Sequence, residues 1–211
     1  MSDRASLEFE YESHERVRRL LDVIRYCLEG ISLSFSYPTD PDSDRTDGET
    51  IPAESASSGP RDGLPYGPGA YLAVVSGPSV ADHADPMGDN RWPVESCPEV
   101  LADQDAFYET LTRVARTNDG AIVVSVDGVV QEGMVRFRDR PSADAAYANW
   151  MGSRHMSALD TSTRETVVAT LTLSQESGRV TVFRDGEYDS VERDRLAARW
   201  RTDDRIRTCN P

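Results

Sequence analysis

The sequence predicts an α/β domain: a mixed parallel and antiparallel central sheet flanked by helices, with an amphipathic helix on its N-terminal side. Three observations carry this. Short apolar runs of strand length alternate with longer stretches of helical periodicity. Some of those runs are joined by hairpin-type turns, which require antiparallel neighbours, and others are separated by a whole helix, which permits parallel ones.

The first element is the stretch 13–31. It sets Val17, Leu20, Leu21, Ile24, Cys27, Leu28 and Ile31 at three- and four-residue spacings, and Ser13 stands where an N-cap belongs. One apolar stripe on an otherwise charged helix is the pattern of a helix that covers a core. Residues 38–69 are dense in Pro, Asp, Ser and Gly with almost no bulky apolar side chain. Such a stretch buries too little to offset its ordering and reads as a disordered linker or insertion.

Order returns with "AYLAVVSG" from Ala70, a buried-strand run. Leu101, Phe107, Tyr108, Leu111, Val114 and Ala115 then mark a helix ending near Asn118. "AIVVSV" and "VVQEGMVRF" follow as two runs split by Asp127-Gly128, a two-residue hairpin signal. "SADAAYANWMGSRHMSA" reads as helical on both sides of Gly152, and "ETVVATLTLSQESGRVTVFRDGE" as a hairpin turning at Glu176-Ser177-Gly178. The organisation is therefore an N-terminal helical segment (1–37), a linker or insertion (38–69), the main domain (70–195) and a frayed C-terminal tail (196–211).

Composition restricts the classes of function. The three cysteines, Cys27, Cys97 and Cys209, are widely separated and odd in number, which argues against a disulfide framework. No apolar run is long enough to cross a bilayer, and the N-terminus is too charged for a secretory signal, so a soluble cytoplasmic protein is expected. Net charge is −14, and all 23 basic residues are arginines. A general nucleic-acid binder needs a basic face, so that class is excluded. The acidity suits a protein of a halophilic archaeal cytoplasm, where salt screens like-charge repulsion within a few ångströms. An acidic mesophilic protein has the same composition and would respond oppositely to dilution into low salt.

Two stretches carry chemistry. Asn118-Asp119-Gly120-Ala121 lies between a helix end and a buried strand, where small residues let a ligand approach the backbone and a carboxylate can ligate a divalent metal. Asp-Gly also recurs at 47–48, 62–63, 127–128 and 185–186, so a plain turn is the competing reading. Gly152-Ser153-Arg154-His155 offers a rigid guanidinium fork, a histidine donor, a hydroxyl and a helix N-terminus, all suited to an anion. The competing reading there is an N-cap with a solvated Arg-His pair. His14 and His83 read as solvated, and Trp92 and Trp150 as packing residues without the basic groove a base platform needs.

Taken in order, "DGAIVVSVDGVVQEGMVRF" and "GSRHMSALDTSTRETVVATLTLSQESGRVTVFRDGE" resemble the nucleotidyl-cyclase domain of the diadenylate cyclases. The resemblance spans about 119–187. It implies that Asp119 is a catalytic metal ligand (Mn²⁺ or Mg²⁺), with Glu176 of the acidic turn assisting and Gln175 in a neighbouring, usually acidic, place. It implies that Arg154 and His155 grip the triphosphate, and that Gly120, Ala121, Gly152, Ser153 and Ser174 line the nucleotide site. Ser153 keeps the hydroxyl of the family's threonine. The implied reaction condenses two ATP molecules into cyclic di-AMP in a self-associated assembly with two facing sites. Met156 departs from the family, which carries a second arginine there; Arg164, Arg136 and Arg138 are the candidates to supply the missing contact. A nucleotide-binding regulatory module of the same fold and an unrelated α/β domain are the alternatives.

Overall fold

The computed structural model describes residues 15–37, 67–77, 79–89, 91–92, 99–138 and 146–208, with side chains described as far as Trp200. Ser13, His14, Cys97, Cys209 and most of the stretch read as a linker lie outside the described residues.

Four helices and seven strands follow in the order α1 (Glu15–Ser34), β1 (Ala70–Val75), β2 (Ala84–Pro86), α2 (Gln104–Thr117), β3 (Ala121–Ser125), β4 (Val130–Phe137), α3 (Ser153–Ser162), β5 (Val167–Leu173), β6 (Val180–Arg184), β7 (Glu187–Val191) and α4 (Arg193–Thr208). The strands form one sheet ordered β2-β4-β3-β1-β5-β6-β7. β1 is its centre, parallel to β3 and antiparallel to β5, so the sheet is mixed as the sequence predicts. Every residue of β1 is buried, which explains why its sequence is an unbroken apolar run and not an alternation.

The period-2 geometry of the strands divides the core in two. Leu72, Val74, Ile122, Val124, Leu171 and Leu173 face one way and pack with the stripes of α1 and α2 and with Leu196 of α4. Tyr71, Ala73, Val75, Val123, Val135 and Phe183 face the other way, where Ala158 and Leu159 of α3 cover them. α2 ends at Asn118 as its sequence indicates, and at its start Asp103 caps it by accepting from the Ala106 N–H at 3.0 Å.

Several boundaries differ from the sequence reading. The β3–β4 loop has four residues, 126–129, not two; Gly128, at φ +86°, takes the left-handed position in it, with Gly128 N–H donating to Ser125 O at 2.8 Å. Asp185-Gly186 is a true two-residue hairpin turn, with φ +49° and +79°, and it launches the unpredicted strand β7. The stretch before Gly152 is not helical over 146–152. Residues 67–69 of the stretch read as a linker are buried, with Gly69 N–H bonded to Ala115 O at 2.8 Å. The region read as a tail begins inside α4, whose Leu196 is fully buried. His83 is not solvated but stacks on Phe137.

Candidate nucleotide site

A cleft of about 460 Å³ opens where the N-terminal ends of β1 and β3 meet the C-terminal end of β5. Both chemistry-bearing stretches reach it.

Asp119 precedes β3. Gly120, at φ +91°, turns the chain there, and a Cβ on it would sit 3.1 Å from the Met134 backbone and Val135 O. Glycine is therefore required twice, by dihedral and by space. Gly120 N–H donates to Asp119 Oδ1 at 2.9 Å, which steadies a carboxylate whose side chain is 79% exposed. Gly120 lines the cleft, whereas Ala121 does not: it is fully buried in the core on the α3 face.

α3 starts at the same cleft. Gly152 is its N-cap, and no side chain caps the helix; Ser153 is the first helical residue and not the cap. The N–H groups of the first turn lack intrahelical partners, so their positive ends are left for an anion or water. Gly152, Ser153, Arg154 and His155 all line the cleft. Arg154 Nη2 donates to Asp119 Oδ1 at 3.2 Å.

His155 is 6% exposed, edge-on to Trp150 at 5.1 Å, and its Nε2 has no hydrogen-bond partner among protein atoms. Burial, followed by the fields of Arg154 and Arg179, pushes its pKa down from 6.5 to about 4. The imidazole is therefore neutral at ordinary pH. It lines the cleft without the second positive charge that an Arg-His pair implies on paper.

The opposite wall is the β5–β6 turn. Ser174 Oγ accepts from the Glu176 and Ser177 N–H groups, each at 3.3 Å, and Ser174, Gln175 and Glu176 all line the cleft. Asp119 and Glu176 thus share one cavity, but no group of three His, Cys, Asp or Glu side chains able to hold a metal exists among the described residues.

Met156 does not line the cleft; partly buried, it packs against the α3-face core. Of the three arginines considered as substitutes, Arg138 is paired with Asp85 at 2.8 Å, and Arg164 donates to the Arg138 carbonyl and lies over the Phe137 ring. Arg136 on β4 is the one of the three that lines the cleft.

The sequence reading missed three contributors. Gly69 has no side chain because one would collide with the Arg154 guanidinium and Gln175. Tyr71 lines the cleft from β1, its phenol pushed above the ordinary range by burial. Trp150, read as a packing residue, also lines the cleft and carries Arg179 over its ring at 4.5 Å. The glycine doublet around Pro68 was the only available signal for the first; the other two depend on side chains converging from separate elements.

A family model described as "DisA bacterial checkpoint controller nucleotide-binding" matches residues 99–188, a span that contains both motifs. No curated protein matches the chain. Among solved structures, a hypothetical membrane spanning protein from Bacillus cereus aligns at 16% identity and a TM-score of 0.43, over 59% of this chain and 55% of its own. The chain thus spans little more than half of that protein. DacA from Staphylococcus aureus, as a double mutant, aligns at 13% identity and a TM-score of 0.40, over 85% of this chain and 91% of its own.

Proposed function

We propose that the chain is a diadenylate cyclase of the archaeal type, which condenses two ATP molecules into cyclic di-AMP and pyrophosphate. The observation that carries the reading is the meeting of Asp119 with Arg154 in one cleft, within the span that matches a nucleotide-binding family. A carboxylate beside a guanidinium and a free helix N-terminus is a donor set for a triphosphate and its cation.

In this reading Arg154, Arg136 and the first-turn N–H groups of α3 hold the triphosphate and neutralise its charge. Neutral His155 contributes a hydrogen bond, and Ser153 its hydroxyl. The ribose 3′-oxygen of each ATP attacks the α-phosphorus of the other in line; at each centre a new P–O bond forms, the bond to pyrophosphate breaks and the 3′-hydroxyl proton passes to solvent, so two pyrophosphates leave for each ring closed. Orientation and charge neutralisation supply the rate in such a transfer. Asp119 and Glu176 would hold a divalent cation, Mn²⁺ or Mg²⁺. Two carboxylates, with no third metal-type ligand beside them among the described residues, suit a cation that takes its remaining ligands from substrate phosphates and water. When bound, that cation supplies charge neutralisation and acidifies the attacking hydroxyl.

A cyclic product made from two nucleotides requires two facing sites, so the active form is a symmetric pair of chains or a larger assembly. A nucleotide-binding module with little turnover is the second reading, favoured by the apolar Met156 and the neutral His155, which leave the cleft fewer cations. Incubation with ATP and Mn²⁺ at high salt, with mass analysis of products, separates them. Cyclic dinucleotide is expected; ATP binding without it would favour the module, and no ATP binding would sink both.

A further inference from the structure

The turn that forms one wall of the cleft is held from behind by residues outside the span matched by the family model. Gly178 ends that turn at φ +66°, and a Cβ on it would lie 2.8 Å from Tyr37 and 2.9 Å from both Arg193 and Ser32. Three side chains thus converge on one glycine. Ser32, fully buried at the end of α1, donates its hydroxyl to Gly178 O at 2.5 Å. Arg193, the first residue of α4, donates from Nε to Ser32 O at 3.0 Å and from Nη2 to Phe35 O at 2.9 Å, and lies over the Tyr37 ring at 5.6 Å. Tyr37, 1% exposed, fills the space between Gly178 and Gly67, and Gly67 N–H donates to Gln175 O at 3.0 Å.

We infer that Ser32, Tyr37 and Arg193 form a brace that positions the 174–178 turn, so that the outer helices α1 and α4 set the geometry of the wall bearing Gln175 and Glu176. None of the three lines the cleft. They are positioning residues that act through Gly178. Arg193 satisfies two carbonyls near the C-terminal end of α1, where a cation is favoured, and thereby locks α4 to α1 directly under the turn. A buried hydroxyl and a half-buried guanidinium on backbone oxygens fix one turn conformation, because losing either leaves an acceptor at or near the core without its partner. The consequence for nucleotide binding rests on the function proposed above; the brace itself does not.

The test is amide hydrogen exchange on full-length Arg193→Gln and Ser32→Ala, with ATP affinity measured alongside. Exchange at Glu176, Ser177 and Gly178 is expected to accelerate about tenfold or more, while the β5 and β6 ladder amides stay as in wild type. ATP affinity is expected to fall roughly fivefold to tenfold in Arg193→Gln. Unchanged exchange at 176–178 in both variants overturns the brace, as does uniform acceleration across the sheet. Accelerated exchange with unaltered ATP affinity overturns the positioning role. A wild-type protein that does not bind ATP overturns the proposed function alone, and the brace is then judged on exchange.

Discussion

Arg154 Nη2 lies 3.2 Å from Asp119 Oδ1, joining two motifs 35 residues apart into one ion pair at the mouth of the cleft. The Asp119 carboxylate is largely exposed, so the pair adds little to folding. Asp119→Asn is therefore expected to abolish cyclic dinucleotide while shifting Tm by less than about 3 °C. Product analysis beside a thermal melt checks both halves. Retained cyclisation would remove Asp119 from the chemistry.

Arg154 and Arg136 reach the cleft, and Met156 does not. Loss of a charge-assisted contact to phosphate costs roughly 10- to 100-fold in affinity. Arg154→Ala and Arg136→Ala should each weaken ATP binding on that scale, whereas Met156→Leu should leave it unchanged. Titration calorimetry reads all three. A normal affinity in Arg136→Ala would mean that this arginine does not supply the contact missing at 156.

His155 makes stability depend on pH with a defined sign. Its folded pKa of about 4 lies below the ordinary 6.5, so the unfolded chain takes up the proton first as pH falls. Its contribution is intact above about pH 6.5, is lost between 6.5 and 4, and levels off below, for a total on the order of 3 kcal/mol. Unfolding free energy measured from pH 7.5 to 4.5 should fall more steeply for wild type than for His155→Asn. Parallel curves would show that the imidazole is not held neutral by its surroundings.

Glu29 is a buried carboxylate on α1 that accepts from Arg25 at 2.9 Å, from Trp200 of α4 at 3.1 Å, and from Arg199. Burial alone would raise its pKa, but those hydrogen bonds and the Arg199 charge outweigh it and hold the carboxyl below its ordinary range. Glu29→Ala removes the shared acceptor of three partly exposed donors and should lower unfolding free energy by about 2 kcal/mol in denaturant titration. A loss below about 1 kcal/mol would indicate that solvent satisfies the donors.

The mixed sheet, the apolar stripes of α1 and α2, and the hairpins were legible because each is a local statement: a period, an apolar run, a turn signal between two runs. β7 was missed because "EYDSV" is an edge strand, with exposed and half-buried side chains and no apolar run to mark it. α4 was missed for a similar reason, since Leu196 alone of its first turns belongs to the core cluster and arginine and aspartate dominate the stretch. Within the site, Asp119 and Arg154 stood out from the chemistry of their motifs. Ala121, by contrast, is fully buried among the α3-face core residues and does not line the cleft.

By itself the sequence determined the class of fold and the two halves of the cleft, because periodicity and motif chemistry are written in neighbouring residues. Only the tertiary structure decided what joins them. It set Arg154 against Asp119, made His155 neutral by burying it beside Trp150, and packed Met156, half-buried, against the core while Arg136 came to the cleft. It also brought Ser32, Tyr37 and Arg193 together beneath Gly178. These outcomes depend on distance, burial and field between residues far apart in the chain, and no local pattern encodes them.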